Sequence, residues 1–319
     1  MGGSVDRIRL GTRGSTLALA QSRWVEARLG ELGVEVEVEV IRTTGDRIWD
    51  RPLPEIGGKG LFTKELDQAL LDERIDLAVH SLKDLPTEGE EGLVTAAIPV
   101  REDPRDVLIG PEGASEDLGS LPEGARVGTS SLRRQALALA FRPDLEVAPI
   151  RGNLDTRIGK VDEGEYDAIV VAGAGVRRLG RGERVSEWFE PTAWLPAPGQ
   201  GALGLVTRAH APEIRELLSA LDDGEARIAV VAERSLLAAL EGGCRLPVAA
   251  LGVPYPGGLR LWGIVASPDG RHMVRGDGTG RAEDPEGLGR QVADLLLERG
   301  AEEILRGLRS PGERPEIQP

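Results

Sequence analysis

RIRLGTRGSTLALAQSRWVEARLGELGVEVEVEVI, residues 7–41, decides the fold. Its first five residues make a short strand. Ser15 then stands where a helix needs an N-cap, and 15–32 follows with helical spacing. Residues 34–41 alternate Val and Glu with period two, so they form a half-exposed strand. The pattern continues downstream: GGKG at 57–60 is a glycine-rich loop opening a helix over 61–73, and 76–80 is a compact apolar strand. This βαβα rhythm predicts a largely parallel sheet. It restarts near Arg105 with a loop-like 110–124, a strand at 126–128 leading into a helix, a strand at 145–150, a helix at 153–161 and a continuous apolar strand at 168–172, of the kind buried on both faces. The Pro/Gly-rich stretch 195–201 reads as a crossing linker. Beyond it come a helix at 226–240, three short strands (248–253, 260–266, 271–276) and a final helix over 285–308, an α+β pattern. The end, 309–319, reads as a disordered tail.

Composition narrows the function. The chain has 319 residues, long enough for two or three domains, and with 3% aromatic residues its cores must be built from Leu, Val, Ile and Ala. A net charge of −14 speaks against general nucleic-acid binding. No apolar run reaches the ~20 residues needed to span a bilayer, and the N-terminus lacks a signal-type apolar stretch. With Cys244 the only cysteine, no internal disulfide is possible. A cytoplasmic protein that binds neither membrane nor nucleic acid is expected. His80, His210 and His272 are far apart in sequence, so no metal site is expected.

Five segments carry chemistry. HSLKDLP, 80–86, lies at the carboxyl end of a predicted strand, where open α/β sheets place ligands. Asp84 there could protonate a leaving amine and then stabilise a cation, with Lys83 beside it; the plainer alternative is a turn-capping Asp84 and a solvated Lys83. GTSSLRR, 128–134, puts hydroxyls at a helix start followed by Arg133 and Arg134. Arginine in a first turn opposes the helix macrodipole, a conflict that an anionic ligand would remove. Arg151 with Gly152, Asn153 and Arg157, and Arg13 with Ser15, repeat the layout of strand end, helix start and arginine. Three such turns in an acidic protein point to a ligand with several carboxylates or phosphates. No phosphate-loop or dinucleotide fingerprint accompanies them. In EGGCRLP, 241–247, two glycines leave Cys244 little steric cover and Arg245 could lower its pKa, as for a thiol meant to react; otherwise Cys244 is a small buried hydrophobe.

GGKGLF, HSLKDLP, GTSSLRR, RGNLDTR and EGGCRLP occur in this order, and together they resemble the hydroxymethylbilane synthase (porphobilinogen deaminase) family from about Arg7 to Leu308. The resemblance implies an α/β fold of two periplasmic-binding-protein-like domains plus a smaller C-terminal α+β domain: 1–99 with 200–219, 103–197, and 220–308. The chain would cross near Pro99 to Asp103 and return near Gln200, and these linkers would allow the domains to rotate. It implies a transferase of tetrapyrrole (haem) biosynthesis that condenses four porphobilinogens head to tail, losing ammonia, into linear hydroxymethylbilane. The primer would be a dipyrromethane cofactor joined by a thioether to Cys244. Asp84 would be catalytic, helping expel the amine and stabilising an azafulvene-like cation. Lys83, Thr129, Ser131, Arg133 and Arg134 would surround the cofactor. Arg13, Ser15, Gln21, Lys59, Phe62, Arg151, Arg157 and Arg178 would bind substrate. The partner would be porphobilinogen alone, the protein a monomer. Two departures stand out: Glu55 where some relatives carry a cation, and Gly11 where Ala is more usual.

Two other readings fit part of this pattern. A non-catalytic anion-binding protein of the same two-lobed fold would explain the arginine turns, but not Asp84 beside Lys83 or the presented Cys244. An enzyme using Cys244 as a transient nucleophile would lack a base near it in sequence.

Overall fold

The computed structural model describes residues 5–43, 63–240 and 246–309. The glycine-rich loop at 57–60, Lys59, Phe62, Glu55, Cys244 and 310–319 of the expected tail lie outside these residues.

The first sheet starts as the sequence predicts. β1 (Arg7–Thr12) and β2 (Glu35–Val40) pair in parallel, with α1 (Thr16–Glu31) between them. Ser15 caps α1, its side chain accepting from the Ala18 amide at 3.2 Å. After α2 (Lys64–Leu71), β3 (Leu77–Ser81) joins β1 in parallel. A Cβ on Gly11 would meet the far end of the Ile75 side chain, which would have to turn aside to admit an alanine.

Four of the five strands in each sheet run the same way, as expected, but one is reversed. The first has the order β2-β1-β3-β10-β4, and β10 (Leu203–Arg208) runs antiparallel to both β3 and β4 (Leu93–Ala97). The second, β7-β6-β8-β5-β9, repeats this plan. β6 (Arg126–Gly128), β7 (Glu146–Ala148) and β8 (Ala168–Ala172) are parallel, while β5 (Asp106–Ile109) runs against β8 and pairs with β9 (Glu187–Trp188). In each sheet the reversed strand is the one the chain enters just after crossing from the other sheet, at 98–105 and again at 195–202. Sequence reading missed β5 and β10, which are buried along their whole length, because Asp106 in the first and Thr207 and Arg208 in the second shorten the apolar run that announces a buried strand. In the second unit α3 (Leu132–Phe141), α4 (Leu154–Asp162) and α5 (Gly173–Arg178) follow β6, β7 and β8. Ser131 and Asn153 cap α3 and α4.

The last third holds α6 (Pro212–Ser219), α7 (Gly224–Ala239), the antiparallel meander β11 (Val248–Tyr255), β12 (Gly258–Ala266) and β13 (Met273–Gly280), then α8 (Pro285–Leu296) and α9 (Glu302–Arg309). The single final helix expected over 285–308 is broken at Gly300, whose φ of 99° no right-handed helix accommodates. The meander does not stand apart. Ala249, Leu251, Ile264 and Ala266 share a core with Val127, Ala136 and Leu137 of the second sheet and its helix. Ala226 and Val230 of α7 pack into the first unit beside Leu82 and Leu85.

Buried charge ties these pieces at the crossings. Glu233 of α7, fully buried, accepts both terminal nitrogens of Arg101 at 2.7 and 3.0 Å, and also the amides of Gly199 (2.7 Å) and Gly252 (2.8 Å). Arg101 Nε donates to the Gln200 carbonyl at 2.8 Å. Both crossings, α7 and the meander therefore meet on one carboxylate.

Candidate active site

The chemistry-bearing residues gather where β1, β3, β6, β7 and β8 end. Parallel strands with following helices leave a crevice at their carboxyl ends, rimmed by free helix-start amides. On the first unit a pocket is lined by Arg13, Ser15, Gln21, His80, Ser81 and Asp84, together with Thr63 and parts of α1. Gln21 Nε2 donates to Ser81 Oγ at 2.8 Å, fixing α1 against the end of β3. A short 3-10 turn, Leu82–Asp84, follows β3. It leaves the Asp84 side chain exposed at the pocket and Lys83 half-buried.

Lys83 Nζ donates to Gln200 Oε1 at 3.3 Å, and the same oxygen accepts from Arg134 Nη2 at 3.3 Å. Gln200 Nε2 donates to the Pro104 carbonyl (2.7 Å) and to Asp106 Oδ1 (2.8 Å). A fully buried glutamine on the return crossing thus joins the Asp84 turn to the arginines of the second unit. Burial, reinforced by the nearby Arg134 and Arg133 charges and opposed by Asp84 and Asp106, brings the Lys83 ammonium down to about 8.

Asp106 is the fixed anion of the second unit. Its fully buried carboxylate accepts from Arg133 Nη1 (2.7 Å), Arg134 Nε (3.1 Å) and Nη2 (2.9 Å), and Trp194 Nε1 (3.0 Å), besides Gln200. Burial alone would raise its pKa, but the two guanidinium charges and their hydrogen bonds hold it well below the ordinary value. The anion that Arg133 and Arg134 need in a first helical turn is therefore supplied in part from within the protein. Sequence reading missed Asp106, Gln200 and Glu233, since each acts through partners distant in sequence. Ser130, between two singled-out hydroxyls, accepts from the Ile150 amide (3.1 Å) and donates to its carbonyl (2.8 Å), tying the β6 turn to the start of the Arg151 turn. Thr129 Oγ1 accepts from the Ser131 amide at 3.2 Å, so these hydroxyls shape the turn.

Arg157 and Arg178 are different. Arg157 Nε donates to the Gly152 carbonyl (2.9 Å) and Arg178 Nη2 to the Gly201 carbonyl (2.7 Å), and among the described residues neither forms an ion pair. Burial lowers both; with the charges of Arg134 and Arg151 added, Arg157 is pushed down to about 10, still cationic at neutral pH. Half-desolvated guanidiniums without a carboxylate are costly unless an anion meets them. His80 is buried, and among the described residues its Nε2 has no hydrogen-bond partner. Burial and then the Arg13 charge bring its imidazole down to about 4, so it is neutral at physiological pH.

The structure thus brings Arg13, Ser15, Gln21 and Asp84 to one pocket, and through Lys83 and Gln200 joins their turn to Arg134, near which Arg133 and Arg157 lie, with Arg151 close to Arg157. Leu17 of α1 lies 3.5 Å from where a Cβ would stand on Gly175 of α5, so the units also touch beside the crevice. Among the described residues no group of three or more His, Cys, Asp or Glu is placed to hold a metal, and no helix is long and apolar enough to cross a membrane.

Fold and site define a two-lobed α/β protein whose described residues set several cations and the exposed carboxylate of Asp84 at the carboxyl ends of the strands. Residues 8–216 match the family model "Porphobilinogen deaminase, dipyromethane cofactor binding domain", and 227–298 match "Porphobilinogen deaminase, C-terminal domain". The porphobilinogen deaminase of Desulforudis audaxviator is 54% identical over 305 residues, covering 95% of this chain and 98% of its own length. That of Syntrophobacter fumaroxidans is 49% identical over 300 residues, covering 93% and 96%. Among solved structures, a methionine-binding lipoprotein of Bacillus subtilis superposes with a TM-score of 0.41 at 14% identity, covering 69% of this chain and 92% of that one. The chain belongs to the porphobilinogen deaminase family, and is an enzyme of the transferase class.

Proposed function

We propose that this chain condenses four porphobilinogen molecules head to tail, with loss of ammonia, into linear hydroxymethylbilane for tetrapyrrole synthesis, and that it does so in the cytoplasm on a dipyrromethane primer attached through Cys244. Family membership supports the reaction. The residue roles rest on one observation above all: among the described lining residues the pocket holds one carboxylate, the exposed Asp84, together with the cation Arg13, neutral hydrogen-bonding groups and apolar side chains.

The donor set fits the cofactor. A dipyrromethane with acetate and propionate side chains carries four carboxylates, and the crevice offers Arg157 and Arg178 without ion pairs among the described residues, with Lys83, Arg133 and Arg134 close by. Lys83, Thr129, Ser131, Arg133 and Arg134 would hold it. When bound, it supplies the free pyrrole position from which the chain grows. Arg13, Ser15, Gln21, Arg151, Arg157 and Arg178, with Lys59 and Phe62, take the carboxylates and ring of incoming substrate.

Asp84 does the proton work. As its aminomethyl group leaves as ammonia, porphobilinogen develops positive charge, and a carboxylate at that place offsets it. The same oxygen then accepts the proton lost after carbon–carbon coupling. A neutral His80 beneath the pocket adds no charge to oppose that cation. The sheet arrangement supports three domains, 1–99 with 200–219, 103–197 and 220–308, hinged at the crossings. Replacing Asp84 with Asn, which keeps the shape and removes the charge, is the test. The variant is expected to retain its covalent cofactor by intact mass and lose on the order of 100-fold or more in kcat. Near-normal product formation would remove Asp84 from the catalytic role.

A further inference from the structure

Arg234 lies on α7, one residue after the buried Glu233 that locks this helix to both crossings. Its side chain reaches out of its own unit and into the turn that carries Lys83 and Asp84. Nη1 donates to the Leu82 carbonyl at 3.2 Å and to the Leu85 carbonyl at 3.0 Å, and Nη2 donates to the Pro86 carbonyl. Three backbone oxygens that bracket Lys83 and Asp84 therefore converge on one guanidinium. The turn is also held by the Leu82 amide donating to the Ala202 carbonyl at 3.0 Å, the Leu85 amide to the Leu82 carbonyl at 3.2 Å and Lys83 Nζ to Gln200, while Pro86 has no amide to offer. A planar fork of five N–H donors suits this convergence of carbonyls, which a single ammonium cannot reproduce.

The helix that carries Arg234 ends at Ala239, with Leu240 as its cap, and Cys244 follows four residues further along the chain. We propose that Arg234 is a positioning residue: it sets the place of Asp84 relative to the helix that leads to Cys244, so that the catalytic carboxylate and the growing chain share one reference frame. This rests on the reading of Asp84 and Cys244 given above. A carboxylate that must meet a leaving amine and then a carbon-bound proton tolerates little displacement. A shift of about 1 Å is enough to cost on the order of 100-fold.

The test uses the full-length, cofactor-loaded enzyme with Arg234→Leu and Arg234→Lys, and Asp84→Asn measured alongside. Cofactor content is read by intact mass, kcat per loaded molecule and KM by steady-state kinetics, and the covalent chain-length intermediates by mass under limiting porphobilinogen. The expected result for Arg234→Leu is full loading, a kcat about 10- to 100-fold lower with KM little changed, and intermediates accumulating before the final step. Arg234→Lys, which keeps charge and reach without the fork, is expected to fall between Arg234→Leu and the wild type. It also decides the matter should Arg234→Leu not fold. Wild-type kcat per loaded molecule in either variant overturns the proposal. So does a loss that follows cofactor content alone, since that is a stability effect. If Asp84→Asn is inactive while Arg234→Leu turns over normally, only the positioning role fails; if Asp84→Asn is itself active, the underlying reading of Asp84 has failed.

Discussion

Replacing Asp106 with Asn separates an internal counter-ion from a merely polar core residue. The carboxylate is fully buried and accepts five N–H donors from Arg133, Arg134, Trp194 and Gln200, at 2.7 to 3.1 Å. Asn keeps the volume but turns one acceptor into a donor and leaves two buried guanidinium groups without their anion. Breaking one side of a buried ion pair costs about 3–5 kcal/mol. For a chain of this size that corresponds to a fall in Tm of roughly 10 °C. The sign with pH follows from the native carboxyl being held below the ordinary 3.8. Its stabilisation is complete well above 3.8 and is lost as pH falls through the depressed native value. The gap between wild type and Asp106→Asn is therefore wide at pH 7 and narrows as pH drops below 3.8. Thermal unfolding of both proteins at pH 7, 5 and 3.5 reads this directly. A Tm difference under about 2 °C at pH 7, or a gap that widens in acid, would refute the account of Asp106 as the counter-ion of Arg133 and Arg134.

Two further outcomes follow from the same electrostatics. His80 stays neutral in the native protein down to about 4, while the unfolded chain titrates near 6.5. The unfolded state alone takes up a proton between these values, so stability falls by about 3 kcal/mol as pH drops from 6.5 to 4. His80→Leu should flatten that part of the urea-midpoint profile, and an unchanged slope would contradict the burial argument. The Lys83 charge is lost as pH rises through about 8, so kcat/KM for the anionic substrate should decline above that pH, and Lys83→Arg should move the decline upward. An alkaline limb that stays in place in Lys83→Arg assigns it to another group.

What could be read from sequence was local. Ser15 announces its helix because an N-cap acts within three residues, and it caps as expected; Ser131 and Asn153, read only as polar residues at helix starts, cap theirs. β8 announces itself as an apolar run bounded by polar residues. The arginine turns were legible because strand end, hydroxyl and guanidinium lie together in the chain. Asp106, Gln200 and Glu233 were not, because their meaning lies in partners up to about 130 residues away, brought together only when the chain crosses between sheets twice. The reversed strands β5 and β10 stayed hidden because buried polar residues, Asp106 in one and Thr207 and Arg208 in the other, shorten their apolar runs. The helix expected over 285–308 runs through Gly300, and only that residue's positive φ reveals the break.

The central claim is that the enzyme builds its product on a pyrrole primer covalently bound to Cys244, and intact mass spectrometry tests it most directly. Purified wild-type protein should carry an added mass of two linked pyrrole units that is absent from Cys244→Ser, and porphobilinogen should extend that adduct stepwise in the wild type alone. An unmodified wild-type mass that porphobilinogen does not change, or an adduct that persists in Cys244→Ser, would contradict the account.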